Sequence, residues 1–553
     1  MTNRQLIELL NGIGRSVAGD SGISAEVSRP AAGFGDFSTN LALQLAPRLG
    51  RPPRQLAEEI ARRLSGEPEL SQVQVAGPGF INLTLSDASL LKGLETATAK
   101  AAAGESETVV IETYNMNPFK DLHIGHAYNC VVADTLANLL EAAGRRVHRV
   151  SYHGDVGAHV GKSMWSLLKF IEGKPERLQE VDPKRRGQFM GKMYAEGAAA
   201  YRQDPAATAA IDKLAGLSFD PGADPLFQRV YQTCLNWSFD YIENTVARLG
   251  GVRAEKRYLE SQANSVGVAT VKRHLGRVFR QSEGAVVFDK QRSGLHTEVF
   301  ISRDGRGLYA ARDLGLIELK QRDFHPNKSL IVTGDEQRNY FKVVIKAAEA
   351  AMPELKGVTV NIPTGLVKLT SGKMSSRTGE VLNIEWLFDQ LDQATRRQGA
   401  EPSEQTIVGA LRYAMLKVRI GSDVVFDVNG SVSVEGNSGP YLQYAHARAR
   451  SILSKAGPRA AARPPESLDK AERLLARKLS EFDEVLNQAA EEMMPHGVAA
   501  YLYELAQEFN RFYEKCRVIG DPRSPGRLWL VERYAETLRR GLAVLGIPSP
   551  DRL

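Results

Sequence analysis

The sequence predicts an α/β protein in three parts: a small N-terminal α/β unit, a parallel-sheet domain interrupted by helices, and a C-terminal all-α bundle. Three observations carry this expectation. A strand–loop–helix–strand run fills about 45 residues from position 109, which is a βαβ unit and implies a parallel sheet. Strand and helix patterns alternate again near residue 300, after a long helix-rich stretch. From about residue 405 onward apolar residues keep helical spacing almost without a break. A chain of 553 residues also exceeds one ordinary core, so several domains are required.

In order, residues 1–95 form the first unit. LAPRLGRPPRQLAEEIARRL supplies a helix after a turn at Pro52 and Pro53, and VQVAGPGFINLTLS reads as two short strands around a Gly-Pro-Gly bend. The Ala-rich stretch ETATAKAAAGESE is a linker. The second unit spans 105–400. It opens on VVIETY, a buried strand by its β-branched content, followed by the loop NMNPFKDLHIG. The next helix, about 126–143, places Val131, Val132, Leu136, Leu139 and Leu140 on one face; Gly144 stops it, and RRVHRVSY is the second strand. Residues of about 165–265 are polar and helical and read as an insertion. VFISRDGRGLYAARDLGLIELKQ and SLIVTGDEQRNYFKVVIKAAE then complete the sheet. The bundle spans 405–553, broken by the Pro-rich link KAGPRAAARPPESLD.

Bulk properties exclude some classes. No apolar run approaches the roughly 18 residues needed to cross a bilayer, so no membrane association is expected. MTNRQLIELLNGIG lacks the charged-then-apolar pattern of a secretory leader. Cys130, Cys234 and Cys516 are far apart and form no CxxC pair, which argues against a disulfide framework or a cysteine zinc site and fits a cytoplasmic location. A net charge of +6 permits a polyanionic partner without requiring one.

Chemistry concentrates in two segments. His123-Ile124-Gly125-His126 sits where a strand-loop enters a helix. Free N–H groups and the positive dipole end make that point an anion site, two imidazoles can donate to phosphate oxygens, and Gly125 leaves room for a flat base. The bland alternative has one histidine capping the helix and the other filling the core. A metal site is a third alternative, but it lacks the HExxH glutamate and a third ligand. About 250 residues later stands GLVKLTSGKMSSRTGEV, with Lys373-Met374-Ser375-Ser376-Arg377 in a glycine-flanked, hydroxyl-rich loop at 371–379. Such a loop can bring cations onto a triphosphate; its alternative is a solvated surface turn.

HIGH after the first strand and KMSSR after the last resemble the paired HIGH and KMSKS motifs of class I aminoacyl-tRNA synthetases. The likeness is closest to the arginyl-tRNA synthetase family and covers nearly the whole chain. GFGDFSTNLALQLA and GPGFINLTL look like that family's extra N-terminal domain, and GNSGPYLQYAHARARSIL looks like the start of its anticodon-binding bundle. Glu112 stands five residues before Asn117, and Asn117 six before His123, as in the family; YAARD puts Tyr309 and Asp313 at i,i+4, and DEQRNYF carries Gln337. The sequence also departs from the family. Asn115-Met116-Asn117-Pro118-Phe119-Lys120-Asp121 replaces the usual Ser-Ala-Asn-Pro-Thr-Gly-Pro, Ser376 and Arg377 replace the end of KMSKS, and Tyr340 replaces a common histidine.

The resemblance implies a Rossmann-like class I synthetase catalytic domain with a helical insertion, and an arginine–tRNA ligase using ATP with Mg²⁺, L-arginine and tRNA(Arg) as a monomer. It implies ATP contacts from Asn117, His123, Gly125, His126, Lys373, Met374, Ser375 and Ser376, with His123, His126, Lys373 and Lys120 as the catalytic set. It implies arginine contacts from Glu112, Asn115, Asn117, His123, Tyr309, Asp313 and Gln337. Phe80 and Asn82 match positions that touch the tRNA elbow, and Tyr441, Tyr444 and Tyr513 match anticodon-contacting positions. No protein-held metal is implied. The acidic set is physically sensible: a guanidinium is a planar fork of five donors with no acceptor, so a selective pocket needs carboxylates and neutral acceptors. Rival readings are another class I specificity or a nucleotidyltransferase, a catalytically silent RNA-binding protein, and a histidine-site metal hydrolase.

Overall fold

Five parallel strands form the central sheet, in the order Thr359–Thr364, Lys328–Gly334, Thr108–Tyr114, Arg146–His153, Lys256–Leu259. The structure is a computed structural model that describes residues 1–19, 22, 24–31, 33–96, 107–289, 291, 294–370, 382–457 and 462–553. From Thr108–Tyr114 the chain crosses first to one side, to Arg146–His153, and later to the other, to Lys328–Gly334. That reversal of strand order makes the carboxyl ends of these strands the place where an α/β sheet opens a crevice for ligands. Val109, Val110 and Ile111 are fully buried, as expected for a strand covered on both faces. The first crossover is the helix Ile124–Ala142, whose buried residues run nearly all round it: Ala127, Val131, Leu136 and Leu139 among them.

Two expectations need correction. The insertion ends before residue 265. Helices Ala158–Ile171, Arg186–Gln203, Pro205–Leu217 and Pro225–Arg248 build it, and Lys256–Leu259 then rejoins the sheet as an edge strand. That strand is four residues of Lys-Arg-Tyr-Leu with only Tyr258 buried, too short and charged to show a strand pattern. Glu298–Ile301 does not complete the parallel sheet; it pairs antiparallel with Ala285–Phe288 in a separate three-stranded sheet with Arg280–Ser282. The strand that closes the far edge is Thr359–Thr364.

The N-terminal part is a four-stranded antiparallel sheet, ordered Val27–Ser28, Phe37–Thr39, Phe80–Leu85, Leu70–Ala76. Ile81, Leu83 and Leu85 alternate into its core against helices Leu41–Leu49 and Pro53–Leu64, while Phe80 faces outward. In the C-terminal part, Glu404–Leu416, Gly439–Ala456, Lys470–Leu479, Phe482–Glu492, His496–Lys515 and Ser524–Val544 pack around Leu442, Leu475, Leu502, Phe509 and Leu538.

Ion pairs join the parts. Arg412, in Glu404–Leu416, is wholly buried; it donates to Asp134 Oδ2 (2.8 Å) and Thr135 Oγ1 (2.9 Å) of the crossover helix and to the carbonyls of Leu249 (3.0 Å) and Leu545 (2.7 Å). Arg473 of the bundle bridges Asp36 (2.6 Å) and Asp87 (2.7 Å) of the N-terminal part. No described helix is long and apolar enough to cross a membrane.

Candidate active site

The loop after Thr108–Tyr114 is held open by one residue. Phe119 adopts φ 64°, a left-handed conformation uncommon for a residue with a Cβ. Packing compensates: its ring is fully buried and stacks on Tyr231 at 5.3 Å, and its N–H donates to Ser238 Oγ at 3.1 Å. Ser163 donates to its carbonyl. Tyr231, Ser238 and Ser163 all belong to the helical insertion, so the insertion shapes the turn that carries Lys120.

His123 is the N-cap of Ile124–Ala142, and its ring stacks on that of His126 with centroids 3.5 Å apart. The His126 Nδ1 accepts from the His123 backbone N–H at 3.2 Å, which places the proton of the neutral ring on Nε2, as a donor. Burial, with the Lys120 charge adding to it, pushes His123 down to about 4; burial and then His123 and Lys120 hold His126 well below its ordinary value. Both rings are therefore neutral donors at pH 7. A Cβ on Gly125 would fall 3.1 Å from the His123 ring, so the glycine keeps the surface over this pair clear. Burial also lowers the Lys120 ammonium's hold on its proton, opposed by Glu260.

A cleft open to solvent lies at the carboxyl end of Thr108–Tyr114, lined by Glu112, Asn115, Met116, His126, Asn129 and Val332 among others. It brings together Glu112, Asn115 and His126. The Glu112 carboxylate, 2% exposed, is engaged on both oxygens: Oε1 by the Lys320 ammonium and Oε2 by Asn115 Nδ2 at 2.6 Å. Asn115 Oδ1 accepts from the Tyr152 N–H (3.2 Å) and Asn117 Oδ1 from the Gly154 N–H (3.0 Å), so both amides are oriented by the neighbouring strand.

A second acidic group stands on Tyr309–Phe324. Burial pushes the Asp313 carboxyl up to about 7; Glu260 and Glu112 add to this, and a hydrogen bond donated by the Tyr340 hydroxyl opposes it. Tyr309, one turn earlier, is 64% exposed. Glu260 pairs with Arg312 at 2.6 Å, and that guanidinium lies 5.0 Å from the centre of the Tyr309 ring. Gln337 is exposed in the short turn Asp335–Gln337 that follows Lys328–Gly334, three residues before Tyr340. Glu260, Lys320 and Tyr340 were not singled out by the sequence as contributors. Two carried a readable signal: Tyr340 stands where the family commonly has a histidine, and Lys320 is a lone lysine on a helix whose neighbours Leu316, Ile317 and Leu319 are apolar, where a buried ammonium needs a partner.

Residues Lys373, Met374, Ser375 and Ser376 lie outside the described residues. The described residues flanking them reach the histidine helix. Leu382 accepts the Ile124 N–H (2.9 Å), Ile384 donates its N–H to the Leu122 carbonyl (3.2 Å), and Asn383 Nδ2 donates to Asp121 (2.8 Å). On the other side Thr364 Oγ1 donates to Asn129 Oδ1 at 2.7 Å, within the same helix.

Comparison with known proteins decides the family. Residues 89–425 match the family description "tRNA synthetases class I (R), catalytic domain". The chain belongs to the arginyl-tRNA synthetase family. Residues 4–85 match the arginyl-tRNA synthetase N-terminal domain, and residues 442–553 match the DALR anticodon-binding domain. The arginine–tRNA ligase of Streptomyces coelicolor is 31% identical over 557 residues, spanning 94% of this chain and 93% of that one. That of Porphyromonas gingivalis is 29% identical over 564 residues, spanning 94% of each. The fold is that of Thermus thermophilus arginyl-tRNA synthetase, with TM-score 0.82 at 24% identity over the full length of both chains, and of the Plasmodium falciparum enzyme, with TM-score 0.80 at 18% identity.

As an arginyl-tRNA synthetase family member the chain is a ligase that uses ATP. The positions expected from the sequence to meet RNA are not among those that line the cleft. Phe80 is 42% exposed, with Asn82 two residues on along the same strand and 8% exposed. Tyr444 is 47% exposed on Gly439–Ala456. One turn earlier the Tyr441 hydroxyl accepts from Asn510 (3.0 Å), and one turn later Arg448 lies 4.6 Å from the Tyr513 ring centre. The three tyrosines and Arg448 therefore form one patch on the bundle. In the same bundle Asp469, Glu472 and Cys516 are spaced as metal ligands would be, but Arg523 and Arg527 occupy the Glu472 oxygens.

Proposed function

We propose that this chain activates L-arginine with ATP and transfers it to the 3′ end of tRNA(Arg). The arginine carboxylate oxygen attacks the α-phosphorus, the bond to the β-phosphate oxygen breaks, and pyrophosphate leaves. A terminal ribose hydroxyl of the tRNA then attacks the acyl carbon and AMP leaves with the bonding electrons. No covalent nucleophile from the protein is needed; positioning and charge stabilisation suffice. His123 and His126 donate to the phosphates from a helix N-terminus, Gly125 receives the base, and Asn117 orients the substrate amino end. Lys120 and Lys373, with Met374, Ser375 and Ser376, act on the pyrophosphate side. Mg²⁺ enters as the counter-ion of ATP. Asp313, Tyr309 and Gln337 receive the arginine side chain, with Glu112 and Asn115 at the cleft floor. Phe80 and Asn82 meet the tRNA elbow; Tyr441, Tyr444 and Tyr513 stack on unpaired anticodon bases. The chain works as a monomer in the cytoplasm.

One observation supports this reading above others: His126, stacked on His123 at a helix N-terminus, lines the same cleft as Glu112, at the switch point of the sheet. The test is tRNA-dependent arginine–ATP pyrophosphate exchange with lysine and glutamine as controls. Exchange with arginine alone is expected. Binding of tRNA without exchange would favour the silent RNA-binding alternative.

A further inference from the structure

Two carboxylates, Glu112 and Glu260, bear on Asp313, and both of them already have a cation. Lys320 holds Glu112, and Arg312 holds Glu260. Asp313 forms no ion pair among the described residues; its partner is neutral, the Tyr340 hydroxyl on Oδ2. Asp313 is thus the carboxylate with charge left for an incoming cation. Tyr340 is well fixed for its task. It lies in the first turn of Arg338–Ala351, packs against the core beneath that helix, and meets the Phe341 ring edge-on at 5.1 Å.

We propose that Tyr340 is a positioning residue for amino-acid recognition: its hydroxyl keeps Asp313 ionised and turned so that the second carboxylate oxygen meets the substrate guanidinium. The inference rests on the reading of this cleft as an arginine site. The chemistry is direct. A protonated Asp313 would present an O–H donor to a guanidinium, which has donors only. A phenol donating to the carboxylate favours the ionised form. The balance is fine, because burial raises Asp313 to about 7 even with Tyr340 in place. Asp313 and Tyr340 are faced by Glu260 from the start of Glu260–Arg273, by Glu112 and Tyr152 from the central sheet, by Lys320 from the Asp313 helix, and by Glu298 from the antiparallel sheet. The carboxylates oppose ionisation of Asp313, Lys320 favours it, and Tyr340 supplies the hydrogen bond that decides it.

The experiment measures tRNA charging by the full chain across pH 6–8.5, with Tyr340→Phe, Asp313→Asn and the double variant. For Tyr340→Phe the arginine KM at pH 7 should rise on the order of tenfold, the size of a hydrogen bond to a charged group. It should recover at higher pH, the profile shifting up by about one unit. The KM for ATP should stay at the wild-type value, and Tyr340→Phe should add nothing once Asp313 is Asn. If Asp313→Asn raises the arginine KM while Tyr340→Phe changes neither KM nor pH profile, the Tyr340 proposal is overturned and the pocket reading stands. If Asp313→Asn leaves the arginine KM unchanged, the pocket reading falls first. Equal losses for arginine and ATP that persist in the double variant would make Tyr340 merely structural, and overturn its positioning role.

Discussion

Replacing Arg412 by methionine should cost about 3–5 kcal/mol of stability, and the loss should be local to the junction between bundle and sheet. The guanidinium and the Asp134 carboxylate are each 1% exposed, so neither can turn to water when its partner goes. Methionine fills much of the volume but donates nothing. Asp134 keeps only the Val252 N–H (2.9 Å), Thr135 loses a donor, and the carbonyls of Leu249 and Leu545 are left without theirs. The broken charge pair sets the scale, because a buried ion is several times costlier to strand than a neutral carbonyl. Removing both ions, as Arg412→Met with Asp134→Leu, should regain most of the loss. Arg303→Ala is the contrast: its pair with Glu283 is 72% and 83% exposed, and breaking it should change nothing measurable. Denaturant unfolding gives the total, and hydrogen exchange of residues 249–252 and 545–547 gives the location. An Arg412→Met protein as stable as wild type, or a double variant no better than the single, would refute the argument.

Four further outcomes are expected. The arginine KM should fall about tenfold per unit as pH rises toward 7 and then level off, because Asp313 must lose a proton to receive a guanidinium and titrates at about 7; a flat profile from pH 6 to 8 would show that Asp313 does not carry the charge. The histidine pair predicts the opposite for ATP: with His123 near 4 and His126 well below its ordinary value, the ATP KM should show no histidine titration between pH 6 and 8, and an inflection near 6.5 would contradict the assigned neutral rings. Lys320→Met should destabilise by about 3–5 kcal/mol by stranding Glu112, and adding Glu112→Leu should restore folding but not arginine use; melting curves and charging assays separate the two effects. Tyr444→Ala should raise the tRNA KM by about 5- to 150-fold, the range for one stacked base, without changing arginine–ATP exchange at saturating tRNA; filter binding of tRNA checks it.

Much of the catalytic core is legible in the sequence because its signals are local. The βαβ unit announces itself through Val131, Leu136 and Leu139 on one helical stripe and Gly144 at its end, and the loop that ends at His126 does fold over the cleft that Glu112 lines. What escapes is set by distance along the chain or by shortness. Lys256–Leu259 enters the sheet because a neighbouring strand offers it free hydrogen bonds, not because four residues have a pattern. Glu298–Ile301 reads as a sheet strand, yet its partner is its own hairpin, and nothing in its composition distinguishes the two. The partner of Glu112 lies 208 residues away, and ion pairing at that range leaves no mark on the residues between. Glu112 therefore reads as a free ligand in the sequence and as half of a buried pair in the structure.

The left-handed turn at Phe119 changes how the helical segment after Arg146–His153 should be regarded. Trimming that segment to a short connector looks attractive to anyone seeking a minimal version of the enzyme, since the sheet would still close. The ring of Phe119, however, is lodged against Tyr231, and its peptide groups are tied to Ser238 and Ser163. Excision would free a strained backbone to relax, and Lys120, the very next residue, would lose the turn that positions it. A shortened form would have to carry replacements for those three anchors or accept a slack loop ahead of the histidine helix.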